Sequence, residues 1–388
     1  MKHKLGTKET AMEYRIISAD DHIDMAWLPR DLWQQRVPTH WRERVPRVVD
    51  TADGPYWYGG EDRWEAWGGR RGGVGALSGR RSALERGGVL EPGVLRPTTT
   101  ALRLADLDRD GVDATVMYGP IVPLLIKDPE LRRVCYRAYN DWLAEFCATA
   151  PARFVGAGLI PIDDPKEAAD EVRYLKQVGL RTGMFLAARV ERPLWDEGWE
   201  PLWEAGAETG LPIGFHLGGG LRTTVDSGPK ATTAGNIGVR VACATLQMDE
   251  PLAAVIFSGA CERFPTLKIV LAETGIGWLP YMLERMDDTY RKFLDAEEYW
   301  RTHGGLQLTM RPSGYVRRQV WATFQTDHVG LRVVDLLGEE RVMWASDYPH
   351  PDSTWPESQQ AIADNFTSIP PRTTRRILCE NAKALYGL

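Results

Sequence analysis

Six residues of this 388-residue chain carry chemically active side chains in similar surroundings, because each lies at or just after the end of a short apolar run. In chain order they are Asp20, His22, His216, Glu273, Asp347 and His350. Imidazole and carboxylate groups bind divalent cations, and the same groups transfer protons in general acid–base catalysis. The chain contains only seven histidines, so three of them at such positions make metal-assisted chemistry the first hypothesis.

The spacing of Asp20 and His22 suits a shared metal site. In a β-strand, residues two positions apart point to the same side, so both side chains can face one point while Asp21 faces away. His216 and Asp347 would reach the same point from other strands, which brings two histidines and two carboxylates to one divalent cation. A catalytic site of this kind would keep one further position for water or substrate.

Eight apolar runs of strand length carry these residues. They span residues 14–19, 113–118, 154–160, 180–186, 211–215, 268–272, 320–324 and 341–345. Amphipathic helical patterns separate the runs, and strands that alternate with helices predict a parallel sheet with crossover helices. Eight such units predict a closed (β/α)8 barrel, an α/β fold in which functional residues lie at the C-terminal ends of the strands. An open doubly wound sheet is the alternative, but it would need a GxGxxG turn after the first strand, and that turn is absent.

Helix-boundary signals support the alternation. Asp128-Pro129 and Asp164-Pro165 each place a capping carboxylate before a proline, which is typical of the first turn of a helix. Gly179 follows the second of these helical patterns, at a position where a glycine commonly ends a helix. The signals predict helices that begin at residues 129 and 165.

Composition limits the class of protein. Lys and Arg number 47 against 53 Asp and Glu, and the resulting net charge of −6 argues against a nucleic-acid binder that relies on a basic surface. The five cysteines include no CxxC pair, so neither a disulfide framework nor a zinc knuckle is expected. Neither a signal peptide nor an apolar stretch of 18 residues is found, which predicts a cytoplasmic protein without a membrane segment. The expected partner is a small-molecule substrate.

A long insertion interrupts the pattern between the first and second predicted strands. Residues 25–100 are too many for an ordinary βα loop, and residues 54–93 contain twelve glycines together with Trp57, Trp64 and Trp67. One interpretation is a poorly ordered, solvated segment, and the other is a flap over the barrel mouth, since the insertion leaves from the end of the first strand. Disordered segments are usually poor in aromatic residues, so both interpretations stay open. Residues 1–388 are expected to form a single barrel domain that contains this insertion.

Four motifs resemble those of the amidohydrolase-2 family, the branch of the amidohydrolase superfamily that contains aminocarboxymuconate-semialdehyde decarboxylase and related metal-dependent hydrolases. They are Ser18-Ala-Asp-Asp-His22, Phe215-His216, Leu271-Ala-Glu-Thr-Gly-Ile-Gly-Trp278 and Trp344-Ala-Ser-Asp-Tyr-Pro-His350. The resemblance covers about residues 14–388 without the insertion. It implies a homodimeric, metal-dependent enzyme with a barrel fold. The metal-ligand positions of the family correspond to Asp20, His22, His216 and Asp347.

Two positions depart from the family pattern. Many members have histidine at the first ligand position, and the Asp20 carboxylate makes the site harder, so manganese rivals zinc, which is the first expectation. The decarboxylases of the family usually have histidine at the end of the sixth strand, where this chain has Glu273. No lysine lies in the fourth predicted strand to become a carboxylated bridging ligand, which predicts one divalent ion rather than two.

The residue Glu273 bears on the choice between two reactions. The first is hydrolysis, in which a metal-activated water attacks an amide, a lactone or an activated C–C bond of a small aromatic or cyclic substrate. Asp347 would accept the proton of this water, and Glu273 or His350 would shuttle it. The alternative is non-oxidative decarboxylation of an aromatic or enoic acid, which an anionic Glu273 would oppose by repelling the substrate. Hydrolysis is therefore the favoured expectation, whereas a raised pKa of Glu273 would favour decarboxylation. A barrel that only binds a metal or ligand is the third hypothesis.

Overall fold

Eight parallel strands form the central sheet of the protein, which the computed structural model describes over residues 12–69, 82–120, 126–217 and 234–388. Each strand pairs with the next one of the eight along the chain. The strands are β1 (Ile17–His22), β5 (Ala114–Tyr118), β6 (Phe154–Leu159), β7 (Thr182–Phe185), β8 (Ile213–His216), β9 (Ile269–Ala272), β10 (Val320–Phe324) and β11 (Val342–Trp344). All eight predicted runs are strands, and the predicted (β/α)8 barrel is confirmed.

The seam of the barrel lies between β1 and the loop after β11. β1 continues to His22 rather than ending at Ala19 as predicted. The Asp347 N–H donates to the Asp20 carbonyl at 2.9 Å, and the His22 N–H donates to the Tyr348 carbonyl at 2.7 Å. These hydrogen bonds hold two of the candidate segments side by side.

The barrel strands form from continuous apolar runs because both faces of the sheet are covered. Every residue of β5 and of β9 is buried. A parallel sheet that packs inside on the barrel core and outside on helices has no solvated face, so its strands show no alternation of polar residues. The polar candidates therefore lie only where the strands end.

The α-helices cover the outside of the barrel and contribute the connections. Within the described residues they are α1 (Leu32–Arg36), α2 (Ala83–Arg86), α3 (Thr100–Asp110), α4 (Pro129–Ala148), α5 (Pro165–Gln177), α6 (Glu200–Thr209), α7 (Ala234–Ala244), α8 (Asp249–Phe257), α9 (Ala260–Arg263), α10 (Leu279–Thr289), α11 (Glu297–His303), α12 (Pro312–Gln319), α13 (His328–Arg332), α14 (Val334–Leu337), α15 (Ser358–Asn365), α16 (Pro371–Arg375) and α17 (Asn381–Tyr386). The carboxylates of Asp128 and Asp164 accept backbone N–H groups at the starts of α4 and α5, as predicted. Gly179 follows α5 with a φ of 86°. Among these helices none combines the length and apolar character needed to cross a bilayer.

The described part of the insertion folds into a small antiparallel sheet. It consists of β2 (Arg47–Thr51), β3 (Gly54–Gly59) and β4 (Asp62–Ala66). Trp27 and Leu84 pack in one apolar cluster with Tyr348 and Trp355, so the insertion contacts the loop that carries His350. Residues 70–81 of the predicted flap lie outside the described residues, and closure over the barrel mouth stays a prediction.

Candidate metal centre

The six candidate side chains meet at the C-terminal ends of the barrel strands. His22 Nε2 lies 2.9 Å from Asp347 Oδ1 and 3.6 Å from Asp20 Oδ1. His216 Nε2 lies 3.6 Å from the same Asp20 oxygen. These four side chains are buried. Asp20, His22 and His216 form one group of close ligand atoms, and His22 also belongs to a second group with Glu273, Asp347 and His350.

Several of the facing atoms are buried without a hydrogen-bond partner among the described residues. They are Asp20 Oδ1, His22 Nε2, His216 Nε2 and both carboxylate oxygens of Asp347. An unpaired buried polar atom costs about 1–3 kcal/mol, and a charged one costs more. A divalent cation held by these two imidazoles and two carboxylates would give the atoms a partner, and this donor set fits such an ion.

The surroundings of both imidazoles suit metal binding. His216 Nδ1 lies 2.9 Å from the Leu217 carbonyl, which can only accept, so Nδ1 carries a proton and the neutral tautomer presents the Nε2 lone pair to the cluster. Burial lowers the pKa of His22 well below its usual value, and the neighbouring His350 and His216 add to this effect. A cation requires a neutral imidazole.

Thr323 on β10 joins two of the site residues. Its hydroxyl donates to Asp20 Oδ2 at 3.1 Å and accepts the N–H of Glu273 at 2.8 Å. Glu273 has a φ of 58°, a left-handed conformation that costs a residue with a side chain about 1–2 kcal/mol. The hydrogen bond from its N–H to Thr323 helps to hold that conformation. No sequence pattern identifies Thr323, because its role arises from the pairing of β10 with β9.

The Glu273 carboxyl lies at the accessible side of the cluster. Its Oε2 atom is 3.5 Å from His216 Nε2 and 3.9 Å from His22 Nε2, and 19% of the side chain is exposed. Burial, followed by the charge of Asp347, raises the pKa of Glu273 well above its usual value. The shift favours the neutral form of the carboxyl, and a raised pKa of Glu273 is the condition under which the sequence favours decarboxylation.

Asp21 points away from the cluster, as the strand alternation predicts, and braces the Asp347 backbone. Its Oδ1 accepts the Ser346 hydroxyl at 2.6 Å and the Tyr348 N–H at 3.1 Å. Asp347 lies between these two residues with a φ of 62°. The other carboxylate oxygen of Asp21 is 3.6 Å from the fully buried Arg103 guanidinium. This buried network therefore holds the conformation that presents Asp347 to the site.

We expect Asp21→Ala to lower the free energy of unfolding by about 3–5 kcal/mol, because it leaves the Arg103 charge buried without its carboxylate. Urea unfolding measures this loss. Asp50→Ala is the matched control: it removes an exposed ion pair with Arg30, and we expect it to cost about 1 kcal/mol or less. Equal losses in the two variants would show that the network does not stabilise the seam.

His350 is held between two carboxylates. Its Nε2 is 3.2 Å from Asp24 Oδ2 and its Nδ1 is 3.1 Å from Asp347 Oδ1, while its ring stacks on His22 with the centroids 3.7 Å apart. Burial alone would lower the pKa of His350, but Asp347 and Asp24 raise it well above its usual value. The shift favours the protonated form of His350, whose Nδ1 contacts the Asp347 carboxylate. Sequence reasoning does not identify Asp24 as a site residue, because its partner lies 326 positions away.

Comparisons with known proteins place this cluster in a family context. Residues 128–388 match the family model described as amidohydrolase. A relative, the gamma-resorcylate decarboxylase of Polaromonas sp., is 25% identical over 298 residues, which cover 74% of this chain and 86% of the relative. The match covers most of the length of both proteins.

Solved structures share the fold over nearly the whole chain. An amidohydrolase from Mycobacterium avium subsp. paratuberculosis has a TM-score of 0.75 and 21% identity, covering 97% of this chain and 100% of that chain. The 5-carboxyvanillate decarboxylase of Novosphingobium aromaticivorans, solved with manganese and 4-hydroxy-3-methoxy-5-nitrobenzoic acid, has a TM-score of 0.67 and 19% identity over 97% of this chain and 96% of that chain. These similarities show a common barrel architecture.

Proposed function

We propose that this chain, which belongs to the amidohydrolase family, is a metal-dependent, non-oxidative decarboxylase of a hydroxylated aromatic acid. The match to the family model confirms the resemblance found in the sequence motifs. The observation that carries the proposal is the cluster of buried, unpaired donor atoms, in a chain whose relatives decarboxylate aromatic acids. The relatives thus favour the alternative of the sequence analysis over hydrolysis. The homodimer and the cytoplasmic location stay predictions.

The case for hydrolysis depends on an anionic Glu273. The raised pKa of Glu273, caused by burial and then by Asp347, supports a neutral carboxyl at this position. A neutral carboxyl does not repel a substrate carboxylate and can donate a hydrogen bond to it. Decarboxylation therefore agrees with the activity of the relatives. It also agrees with the presence of Glu273 where the decarboxylases of the family usually have histidine.

We propose that one divalent cation is held by the two carboxylates and two imidazoles of Asp20, His22, His216 and Asp347. When bound, it would supply the positive charge that binds the substrate's carboxylate or phenolate oxygen. Zinc is the sequence expectation, but two carboxylate ligands also suit manganese, and manganese occupies the solved 5-carboxyvanillate decarboxylase. Manganese is the ion that we favour.

The protein's own side chains would handle the proton. Decarboxylation breaks the bond between a ring carbon and the carboxyl carbon, and the electron pair left on the ring takes up one proton as CO2 leaves. Glu273 is the proposed donor, because its carboxyl borders both the donor cluster and the accessible side of the site. His350 would act as a positioning residue through its 3.1 Å contact with Asp347.

The reaction is tested by incubating the manganese-loaded protein with a panel of hydroxybenzoates in D2O. We expect one CO2 for each phenol formed and one deuterium at the carbon that lost the carboxyl group, because that carbon takes its proton from the site. Asp347→Asn should release no CO2 from the same panel. Turnover of amides or lactones with no CO2 from any hydroxybenzoate would overturn the proposal in favour of hydrolysis.

A further inference from the structure

The segment that follows Asp24 is hydrogen-bonded to later residues of the insertion. The carbonyls of four consecutive residues, 25–28, each accept a hydrogen bond from one of these later residues. The pairs are Trp57 Nε1 with Met25 O (2.7 Å), the Gly68 N–H with Ala26 O (2.9 Å), Thr98 Oγ1 with Trp27 O, and Trp67 Nε1 with Leu28 O (2.8 Å). The two residues that follow β4, Trp67 and Gly68, are therefore bonded to backbone that lies next to the candidate metal centre.

A β-bulge lies in β4, just before the residues that are bonded to the segment after Asp24. The register of β3 and β4 shifts so that two residues, Trp64 and Glu65, oppose the single residue Trp57. Bulges change the direction of side chains and are common beside active sites. Glu65 is thus presented by an irregular strand whose next residues are bonded to the site segment.

Glu65 interacts electrostatically with Asp24 and His350, and one of its carboxyl oxygens is unused. Its Oε1 atom is buried and has no hydrogen-bond partner among the described residues. Burial and then the Asp24 charge raise the pKa of Glu65 to about 8, while His350 opposes the shift. The mainly neutral carboxyl near pH 7 can both donate and accept a hydrogen bond. A buried polar atom that has no partner in the described part of the chain can accept one from a ligand.

We propose that Glu65 is a specificity-determining residue that binds an uncharged substituent of the substrate ring, a hydroxyl or an amino group, and disfavours a second carboxylate at that position. The inference rests on the proposed function for the ring and its reacting carboxylate. Asp24, paired with His350 at 3.2 Å, adds a negative charge on the same side of the site. A carboxylate placed there would meet like charge, whereas a hydroxyl or amino group would complete the hydrogen bonding of Glu65.

Matched ring ligands test this preference on the manganese-loaded protein. The reference is 2-nitrophenol, whose nitro group replaces the carboxylate and cannot be lost, and a hydroxyl or a carboxylate is then added at each free ring position in turn. At one position we expect the hydroxyl compound to bind about tenfold more tightly than its carboxylate counterpart in isothermal titration calorimetry. Glu65→Leu should remove this difference, and Glu65→Gln should keep it, since an amide also donates and accepts. Glu61→Leu, in the exposed turn between β3 and β4, is the control and should change nothing.

Other outcomes separate this inference from the proposed function. If Glu65→Leu weakens all the ligands equally or none of them, or if no ligand of the series binds, the inference is overturned. A preference that disappears in Glu65→Leu without CO2 release from any hydroxybenzoate would support Glu65 and overturn decarboxylation. CO2 release from hydroxybenzoates together with an unchanged ligand ranking in Glu65→Leu would support decarboxylation and overturn the role of Glu65.

Discussion

Removal of the metal by chelation, or the double substitution Asp20→Ala with His216→Ala, is expected to lower kcat/KM for CO2 release by at least about a thousandfold. The bound cation would contribute several kcal/mol of charge stabilisation, and each 1.36 kcal/mol corresponds to about a factor of ten in rate. Elemental analysis should find one manganese or zinc ion per wild-type chain and almost none in the double variant. Manganese should restore activity to the chelated wild type but not to the double variant.

The same experiment has a readout that does not depend on turnover. Because the facing donor atoms of the cluster are buried and unpaired, a cation should stabilise the folded chain, by about 2.7 kcal/mol at a hundredfold excess over its Kd. Urea unfolding of the chelated protein with and without manganese measures this gain. His303→Ala, which alters an exposed histidine on α11, should keep both the gain and the activity. A wild-type protein that contains no metal and gains no stability from manganese would refute the proposed centre.

The barrel was predictable because each of its strands has a local cause. Runs such as residues 269–272 are wholly apolar, since a parallel strand is buried on both faces, and they need no distant partner to be identified. The meeting of Asp20, His22, His216 and Asp347 follows from the barrel rule that strand ends converge. Predicting the site therefore required only the correct number of strands and the polar residues at their ends.

What could not be predicted depends on contacts between distant segments or on backbone conformation. Asp24 becomes a site residue through His350, and Thr323 becomes one because β10 lies beside β9. Glu65 lies at a bulge in the pairing of β3 with β4, whereas the sequence showed this segment only as part of a Gly/Trp-rich insertion. The insertion could therefore be identified as aromatic-rich, while its contribution to the site could not.

Glu273→Gln is expected to lower kcat for CO2 release by about 10²–10⁴, the usual contribution of a positioned general acid, with little change in KM or metal content. Glutamine keeps the size and hydrogen bonding of the side chain but cannot release a proton at a useful pKa. The carboxyl lies 3.5 Å from His216 Nε2 and is partly exposed, so it borders both the donor cluster and the space open to substrate. Steady-state kinetics and elemental analysis of the same preparations measure both effects.

Glu273→His distinguishes a proton donor from a residue that only maintains shape. Histidine is the residue that the family resemblance places in decarboxylases at this position, and it also tolerates the left-handed backbone with a φ of 58° better than most residues. We therefore expect Glu273→His to retain most of the CO2 release that Glu273→Gln loses. Glu284→Gln, on the exposed face of α10, controls for the loss of one carboxylate. Full activity in Glu273→Gln, or equal losses in the glutamine and histidine variants, would remove Glu273 from the proton-transfer step and leave it the role of supporting the cluster.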